Sequence, residues 1–308
     1  MLISRLDDVT PKVLDAYTAI KDPRTRQIVL GLIRHLHELA QELRLTEAEL
    51  HKAAAFVNAI GQKTTASHNE AILLSGSLGL SALVCLMNNG AGGTHDTSAN
   101  MLGPFFRDAS PQIENGGSLI RSHTPGIPLF FSGLVRDQAG QPVAGAEVHI
   151  WHSSTLGLYE NQDPDQAEMN LRGRFVTDAG GRCAFRSIKP AGYPIPIDGP
   201  TGQLLATAGR HNMRPAHVHA LIHKPGYKTI TSQVYTDDDP YLETDVQFGV
   251  TTALLGHYVL HESGTPPAPD VTGPWWTLEY EFILEPGEAH MPKAPITAKA
   301  ERAAENVG

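Results

Sequence analysis

The chain has 308 residues, 41% of them hydrophobic and 19% charged, enough to bury a sizeable core in one large domain or two smaller ones. Its 33 acidic residues outnumber 24 basic ones for a formal net charge of −9, and with no polybasic run this argues against nucleic acid or an anionic membrane and for a small molecule or another protein as partner. Cys85 and Cys183 match no metal-binding or redox spacing, so reduced, buried thiols are expected; acidic residues near the start and the lack of a long apolar stretch make a cytoplasmic protein the expectation.

The first strong period is helical. Asp22 can cap, Pro23 suits a first turn, and Ile28, Val29, Leu32, Ile33, Leu36, Leu39, Ala40 and Leu43 recur at helical spacing to give a wide apolar face. Thr46-Glu47-Ala48-Glu49 reads as a capping box that opens a second helix through Leu50, Ala54, Val57 and Ile60. A third helix is expected from about Asn69 to Asn88-Asn89-Gly90, with Gly76 and Gly79 inside it as close-packing positions rather than ligand contacts. Gly90-Ala91-Gly92-Gly93 breaks the period, which places a boundary near residue 95 and a helical N-terminal domain over 1–98.

Beyond that boundary the period falls to two. Strands are expected over 129–135, 146–151, 174–177, 183–188, 216–222, 229–235, 258–261 and 275–283, separated by Gly, Pro and Asp loops. The spacing is that of an antiparallel β-sandwich over 99–285, so the fold class is mainly β with an α-helical N-terminal domain. Residues 286–308 have no apolar period and read as a tail, partly ordered or free.

One strand carries chemistry. In Ala216-His217-Val218-His219-Ala220-Leu221-Ile222 the two histidines leave the same face, close enough to share one metal ion. In a chain with 15 histidines the spacing fits two polar residues on a solvated strand face equally well. No carboxylate, thiol or third imidazole stands in a recognisable spacing, and His223 would lie over about 10 Å from His219 along a strand. Tyr159 and Tyr193 sit in glycine-marked, turn-bounded segments, where a lone tyrosine is ordinarily a packing residue. Joined to the histidines they point to a hard, anionic donor set: a phenol ionises near pH 10, yet a trivalent cation can hold it as phenolate. Such a set favours Fe(III) and differs from the two-histidine, one-carboxylate set of ferrous oxygenases.

Leu102-Gly103-Pro104-Phe105, Gly145-Ala146 with Trp151-His152, Gly157-Leu158-Tyr159, Asn170-Leu171-Arg172-Gly173, Tyr193-Pro194-Ile195-Pro196, Asp198-Gly199-Pro200 and Gly209-Arg210-His211 with Arg214-Pro215-Ala216-His217-Val218-His219 follow one another in an order that resembles the intradiol ring-cleavage dioxygenases. The resemblance covers most of the chain, including the helical N-terminal region of the catechol and hydroxyquinol branches. It implies that Tyr159, Tyr193, His217 and His219 hold one Fe(III) per subunit and that Tyr193 gives way when substrate binds. It further implies that Arg214 and Gln233 flank the reacting ring, with Arg214 stabilising charge there as dioxygen attacks. Leu73, Gly76, Leu102, Gly103, Pro104, Phe105, Val246 and Gln247 are the implied substrate contacts. The implied reaction cleaves a catechol-type ring between its two hydroxylated carbons, with both atoms of O2 entering a muconate-type product.

Residues 193–200, Asp239-Pro240-Tyr241-Leu242 and Phe248-Gly249-Val250 look more like the hydroxyquinol and chlorocatechol branch, which favours hydroxyquinol, giving maleylacetate, over catechol or a chloro- or methylcatechol. Many hydroxyquinol enzymes of the family carry an acidic residue where this chain has Gly76 and a small apolar one where it has Gln247. The bare Gly76 is expected to open room beside the ring. The resemblance also implies a homodimer through the N-terminal helices and is compatible with a lipid bound between them. Two rival readings are a colourless, dimeric β-sandwich binding protein and a zinc hydrolase built on His217 and His219.

Overall fold

The computed structural model describes residues 2–89 and 98–300. The chain divides between Asn58 and Ala59 into two compact units. The first begins with a 3-10 turn at Leu6–Asp8 and contains α1 (Val9–Tyr17), α2 (Pro23–Glu42) and most of α3 (Glu47–Lys63). α2 starts where its signals put it: the Asp22 carboxylate accepts from the Thr25 amide at 2.6 Å, and Pro23, with no amide hydrogen to satisfy, takes the first helical position. The capping box of α3 also forms, with the Thr46 amide donating to Glu49 at 2.8 Å and the Glu49 amide to Thr46 Oγ1 at 3.3 Å. α1 and the turn before it are too short to show a period in the sequence and were not expected.

The second unit opens with α4 (Glu70–Ser77) and α5 (Leu80–Asn89) in place of the single third helix expected. Asn69 caps α4 by accepting from the Ile72 amide at 3.0 Å. The two helices are bent by 75° at a break where Gly79 adopts φ +72°, a left-handed conformation that ends α4 and that a side chain would strain. Among the described residues no single helix is long and apolar enough to cross a membrane. The glycine run at 90–93 and the boundary near 95 fall outside the described residues.

The strands are β1 (Pro128–Asp137), β2 (Glu147–His152), β3 (Arg172–Val176), β4 (Arg182–Ile188), β5 (Tyr193–Pro194), β6 (Met213–Arg214), β7 (His217–His223), β8 (Ile230–Thr236), β9 (Leu255–Gly256), β10 (Tyr258–His261) and β11 (Trp275–Leu284), with α6 (Pro200–Thr207) between β5 and β6. They make two main sheets, ordered β10-β11-β1-β4 and β3-β2-β7-β8-β9, and a small β5-β6 ladder. Phe131, Val135 and Phe282 of the first sheet and Val148, Ile150, Phe175, Val218, Ala220 and Val234 of the second belong to one buried core cluster. Each large side chain in such a core contributes about 1.5–3 kcal/mol.

Two features depart from the expected antiparallel sandwich. β1 and β11 run parallel, from Leu129 opposite Trp276 to Asp137 opposite Leu284, and β8 and β9 are also parallel. Most of the unit separates β1 from β11 in sequence, so no hairpin dictates their direction. β5, β6 and α6 are the second departure. A two-residue ladder has no readable period, and α6 begins at Gly199-Pro200 with no side-chain cap to announce it.

β7 is buried on both faces. Val218, Ala220 and Ile222 pack in the main core, while Leu221 joins a second buried cluster with Trp151, Tyr159, Tyr193, Phe105 and Leu73. His217 and His219 are at most 1% exposed, so the solvated-face alternative for them is wrong: Tyr159, on the loop after β2, and Tyr193, on β5, are buried on that side of the sheet. Of the tail, Ala294 and Ile296 are buried in that second cluster.

Candidate functional site

Sheet register assembles the site. Across β7 and β8, His217 stands opposite Tyr235 and His219 opposite Gln233; across β2 and β7, His219 stands opposite Trp151, whose ring stacks on the imidazole at 4.5 Å and 7°. The β5-β6 ladder sets Tyr193 opposite Arg214. Tyr159 arrives on the loop between β2 and β3. Gly157, at φ +73°, lets that loop press against Tyr193: a Cβ there would lie 2.9 Å from the Tyr193 Cβ.

Four donor atoms converge. Tyr159 Oη donates to Tyr193 Oη at 3.3 Å, both phenol oxygens lie 3.5 Å from His217 Nε2, and His217 Nε2 lies 3.1 Å from His219 Nε2. His217 Nδ1 donates to the Pro215 carbonyl at 2.7 Å, which fixes the tautomer and leaves a lone pair on Nε2 pointing at the cluster. Burial, reinforced by the Arg214 charge, pushes the His217 imidazole down to about 3, so it is neutral and fit to ligate. Burial drives the His219 imidazole well below its ordinary value and raises both tyrosines above theirs. Without a cation the phenols are neutral; a multiply charged metal ion is what would make phenolates of them.

The donors fit such an ion. Two ligands on one ion at bonds of about 2 Å can be no more than about 4 Å apart, and the donor separations of 3.1–3.5 Å lie within that limit. Among the described residues no group of three or more His, Cys, Asp or Glu could hold a metal. A catalytic zinc site ordinarily draws three protein ligands from those residue types, so the two histidines alone fall short of it.

Arg214 is held beside the donors. It is 2% exposed, its Nε and Nη2 donate to the two oxygens of Asp245 at 3.0 Å each, and Nη2 also faces Gln233 Oε1 at 2.9 Å and Tyr235 Oη at 2.7 Å. That anchoring leaves Nη1 directed at the cluster, 3.4 Å from His217 Nε2. Gln233 is oriented in turn by its Nε2, which donates to the Met101 carbonyl at 2.8 Å. Desolvation would raise the Asp245 carboxyl, but Arg214 and the Gly249 and Gln247 amides hold it below its ordinary range.

Leu73, Phe105 and Val246 share the buried cluster with the two tyrosines, Leu102 packs against its edge, and Phe105 lies 4.6 Å from the Tyr159 ring. Pro104 is buried, and a Cβ on Gly103 would meet His219 at 3.5 Å. Gly76 does not open the room expected of it. The Gln247 carboxamide fills the space: its oxygen lies 1.8 Å from where a Cβ of residue 76 would stand, and its Nε2 donates to the Leu73 carbonyl at 3.2 Å and to Ser77 Oγ at 3.0 Å.

Sequence patterns do not single out Asp245, Tyr235 or Asn100, and they mark Trp151 only as part of a motif, without its stacking role. Asn100 Nδ2 donates to Tyr235 Oη and to the Gly249 carbonyl, closing the network around Arg214. Tyr235 had a usable signal, standing two residues after Gln233 on the same strand face. Asp245 had only its place beside Val246, and its role depends on a loop fold with no periodicity.

A family model described as a dioxygenase matches residues 101–286, and one described as the catechol dioxygenase N terminus matches 22–94. The chain belongs to the intradiol ring-cleavage dioxygenases and is an enzyme of that class. It is 36% identical over 285 residues to a hydroxyquinol 1,2-dioxygenase of Nocardioides simplex, covering 92% of this chain and 96% of that one. A catechol 1,2-dioxygenase of Candida albicans is 35% identical over 286 residues, with 92% and 93% covered. The crystal structure of a hydroxyquinol 1,2-dioxygenase from Pseudomonas putida DLL-E4 superposes with a TM-score of 0.80 at 37% identity, covering 91% of this chain and 98% of that one.

Proposed function

We propose that this chain is a ferric intradiol dioxygenase whose preferred substrate is hydroxyquinol, with Tyr159, Tyr193, His217 and His219 holding one Fe(III) per subunit. The observation that carries the metal assignment is the convergence on His217 Nε2, in a buried site, of both phenol oxygens at 3.5 Å and of His219 Nε2 at 3.1 Å, with the two phenol oxygens 3.3 Å apart. A ferric ion bound there supplies the positive charge that ionises the ring diol and primes the ring for attack by dioxygen.

The remaining work falls to the chain's own residues. Tyr193, the ligand that gives way to substrate by family resemblance, takes a substrate proton at Oη; burial, which raises the basicity of its phenol, supports that role. Arg214 Nη1, held by Asp245 and Gln233, stabilises negative charge on the ring as it reacts. Leu73, Phe105 and Val246 give the ring an apolar seat and exclude water from it.

Gln247 supports hydroxyquinol in particular. Its carboxamide oxygen stands where a side chain at residue 76 would begin, on the helix face shared with Leu73, and so presents an acceptor at the position where many hydroxyquinol enzymes of the family carry an acidic residue. A polar partner built for a substrate hydroxyl discriminates strongly against rings that lack it. Oxygen uptake and product spectra on hydroxyquinol, catechol, 4-methylcatechol and chlorocatechols should give the highest kcat/KM on hydroxyquinol. A clear preference for unsubstituted catechol overturns the substrate assignment.

The N-terminal helices support a homodimer. Ile28, Leu32, Leu36, Leu39 and Leu43 run along α2 into its C-cap as a stripe in which each side chain is between 47% and 59% exposed, an apolar surface that a second copy would cover. Light scattering during gel filtration should give the mass of a dimer, and a monomer at micromolar concentration rules this out. The cysteines Cys85 and Cys183 are unpaired, in keeping with the reducing cytoplasm, where we place the enzyme.

A further inference from the structure

The buried segment near the C-terminal end reaches the loop that carries Tyr159. Ala294 and Ile296 are 7% and 1% exposed and share a buried cluster with Leu73, Phe105 and Tyr159. The residues after them spend their amides on two neighbouring segments. Thr297 and Ala298 both donate to the Ala66 carbonyl, at 2.8 and 3.1 Å, and Ala300 donates to the Asn161 carbonyl at 2.8 Å. Lys299 Nζ donates to the Gln166 carbonyl. Asn69, the cap of α4, donates to the Pro295 carbonyl at 3.4 Å.

Asn161 is the point where these ties meet. It is fully buried and stands two residues after Tyr159. Its carbonyl receives the Ala300 amide, its Oδ1 accepts from Arg172 Nη2 at 2.9 Å, and its Nδ2 donates to the Ser67 carbonyl at 3.5 Å. Arg172 is itself tied to Glu160 at 2.7 Å and to the Phe105 carbonyl at 2.7 Å. The loop is stiffened from within as well, because the Tyr159 amide donates to Gln162 Oε1 at 3.1 Å and the Gln162 amide to the Tyr159 carbonyl at 2.9 Å.

We propose that residues 294–300 are a clasp that positions the Tyr159 loop, with Asn161 as its anchor, and that the site is complete only when this segment is docked. The clasp fixes two walls at once, the entry to α4 through Ala66 and the cap Asn69 and the ligand loop through Asn161 and Gln166. The consequence for metal retention rests on Tyr159 being an iron ligand; the consequence for loop order does not. Outer contacts that orient a ligand ordinarily govern metal affinity by one to two orders of magnitude, and single hydrogen bonds govern local opening less strongly.

The test compares three variants of the whole chain with wild type. Deleting 301–308 leaves every named contact in place and is the control; deleting 299–308 removes the Lys299 and Ala300 ties; Ala300→Pro removes the donor to Asn161 without shortening the chain. The metal-free proteins are followed by amide hydrogen exchange, and the iron-loaded proteins by iron transfer to a chelator. The expected result is exchange at residues 159–167 faster by roughly three- to tenfold in Ala300→Pro and by more in the 299–308 deletion, with the β7 and β8 amides unchanged. Iron release should accelerate by about tenfold in the longer deletion, and the control should match wild type. Exchange at 159–167 and iron release both within twofold of wild type in the 299–308 deletion overturn the clasp. A wild-type chain that binds no ferric ion overturns the ligand assignment instead, and exchange in the metal-free proteins still decides the clasp.

Discussion

Arg214→Met is expected to lower kcat by about a hundred- to a thousandfold while shifting KM far less, because the guanidinium acts where charge develops during the reaction. The same substitution is expected to cost about 3–5 kcal/mol of stability, since it strands a buried carboxylate. Asp245 is 4% exposed and has its two oxygens on Arg214. Two amide donors, from Gln247 at 3.2 Å and Gly249 at 2.9 Å, remain to the carboxylate after the substitution, and Arg214 is the one cation paired with it among the described residues. Asp245→Asn in the same chain should restore much of the stability and none of the activity. The pH dependence has a definite sign. In wild type Arg214 holds the Asp245 carboxyl low, so the pair stabilises above the ordinary carboxylate range and loses that contribution on acidification. In Arg214→Met the desolvation that Arg214 had offset raises the folded-state value instead, so the stability deficit is largest at neutral pH and shrinks as the solution is acidified. Denaturant melts at neutral and acid pH distinguish the two. A variant with wild-type kcat, or with a deficit that grows on acidification, would refute the assignment.

The pattern of what could be read in advance follows the range of the interactions involved. α2, α3 and the longer strands are legible because local period and capping chemistry dictate them, and Asp22 and the Thr46–Glu49 box do in the fold what their sequence context says. The His217–His219 pair is legible as two side chains on one strand face, but that the face is buried depends on Tyr159, from the loop after β2, and Tyr193, from the short strand β5, packing over it. Gly76 shows the limit most directly. A missing side chain predicts a hole, and Gln247, 171 positions later in the numbering, closes it with an amide that no local pattern connects to the helix. Asp245 and the clasp were invisible for the same reason: each makes its contacts in irregular backbone, where neither period reports on neighbours.

Tyr159→Phe is the sharpest probe of the metal assignment because it changes so little else. The ring stays, so its packing at 4.6 Å from Phe105 and 5.2 Å from Tyr193 is kept. The hydroxyl that leaves makes only contacts of 3.3 and 3.5 Å, to Tyr193 and His217, so a change in stability within about 1 kcal/mol is expected of the metal-free protein. If Tyr159 is a ligand, the loss falls on the loaded enzyme. Contacts that merely orient a ligand govern affinity by about ten- to a hundredfold, so removing the ligand itself should weaken iron binding by more than that and lower kcat/KM at least as much. A phenolate bound to ferric iron absorbs visible light by charge transfer, so wild type should be coloured and Tyr159→Phe should be bleached relative to it. Tyr235→Phe is the control: Tyr235 bonds to Arg214 and Gln233 at 2.7 and 2.6 Å rather than to the donor cluster, so it should keep its colour and its iron while losing activity. Full colour and stoichiometric iron in Tyr159→Phe would remove this residue from the site, and with it the reason to read two histidines on β7 as half of a ferric centre.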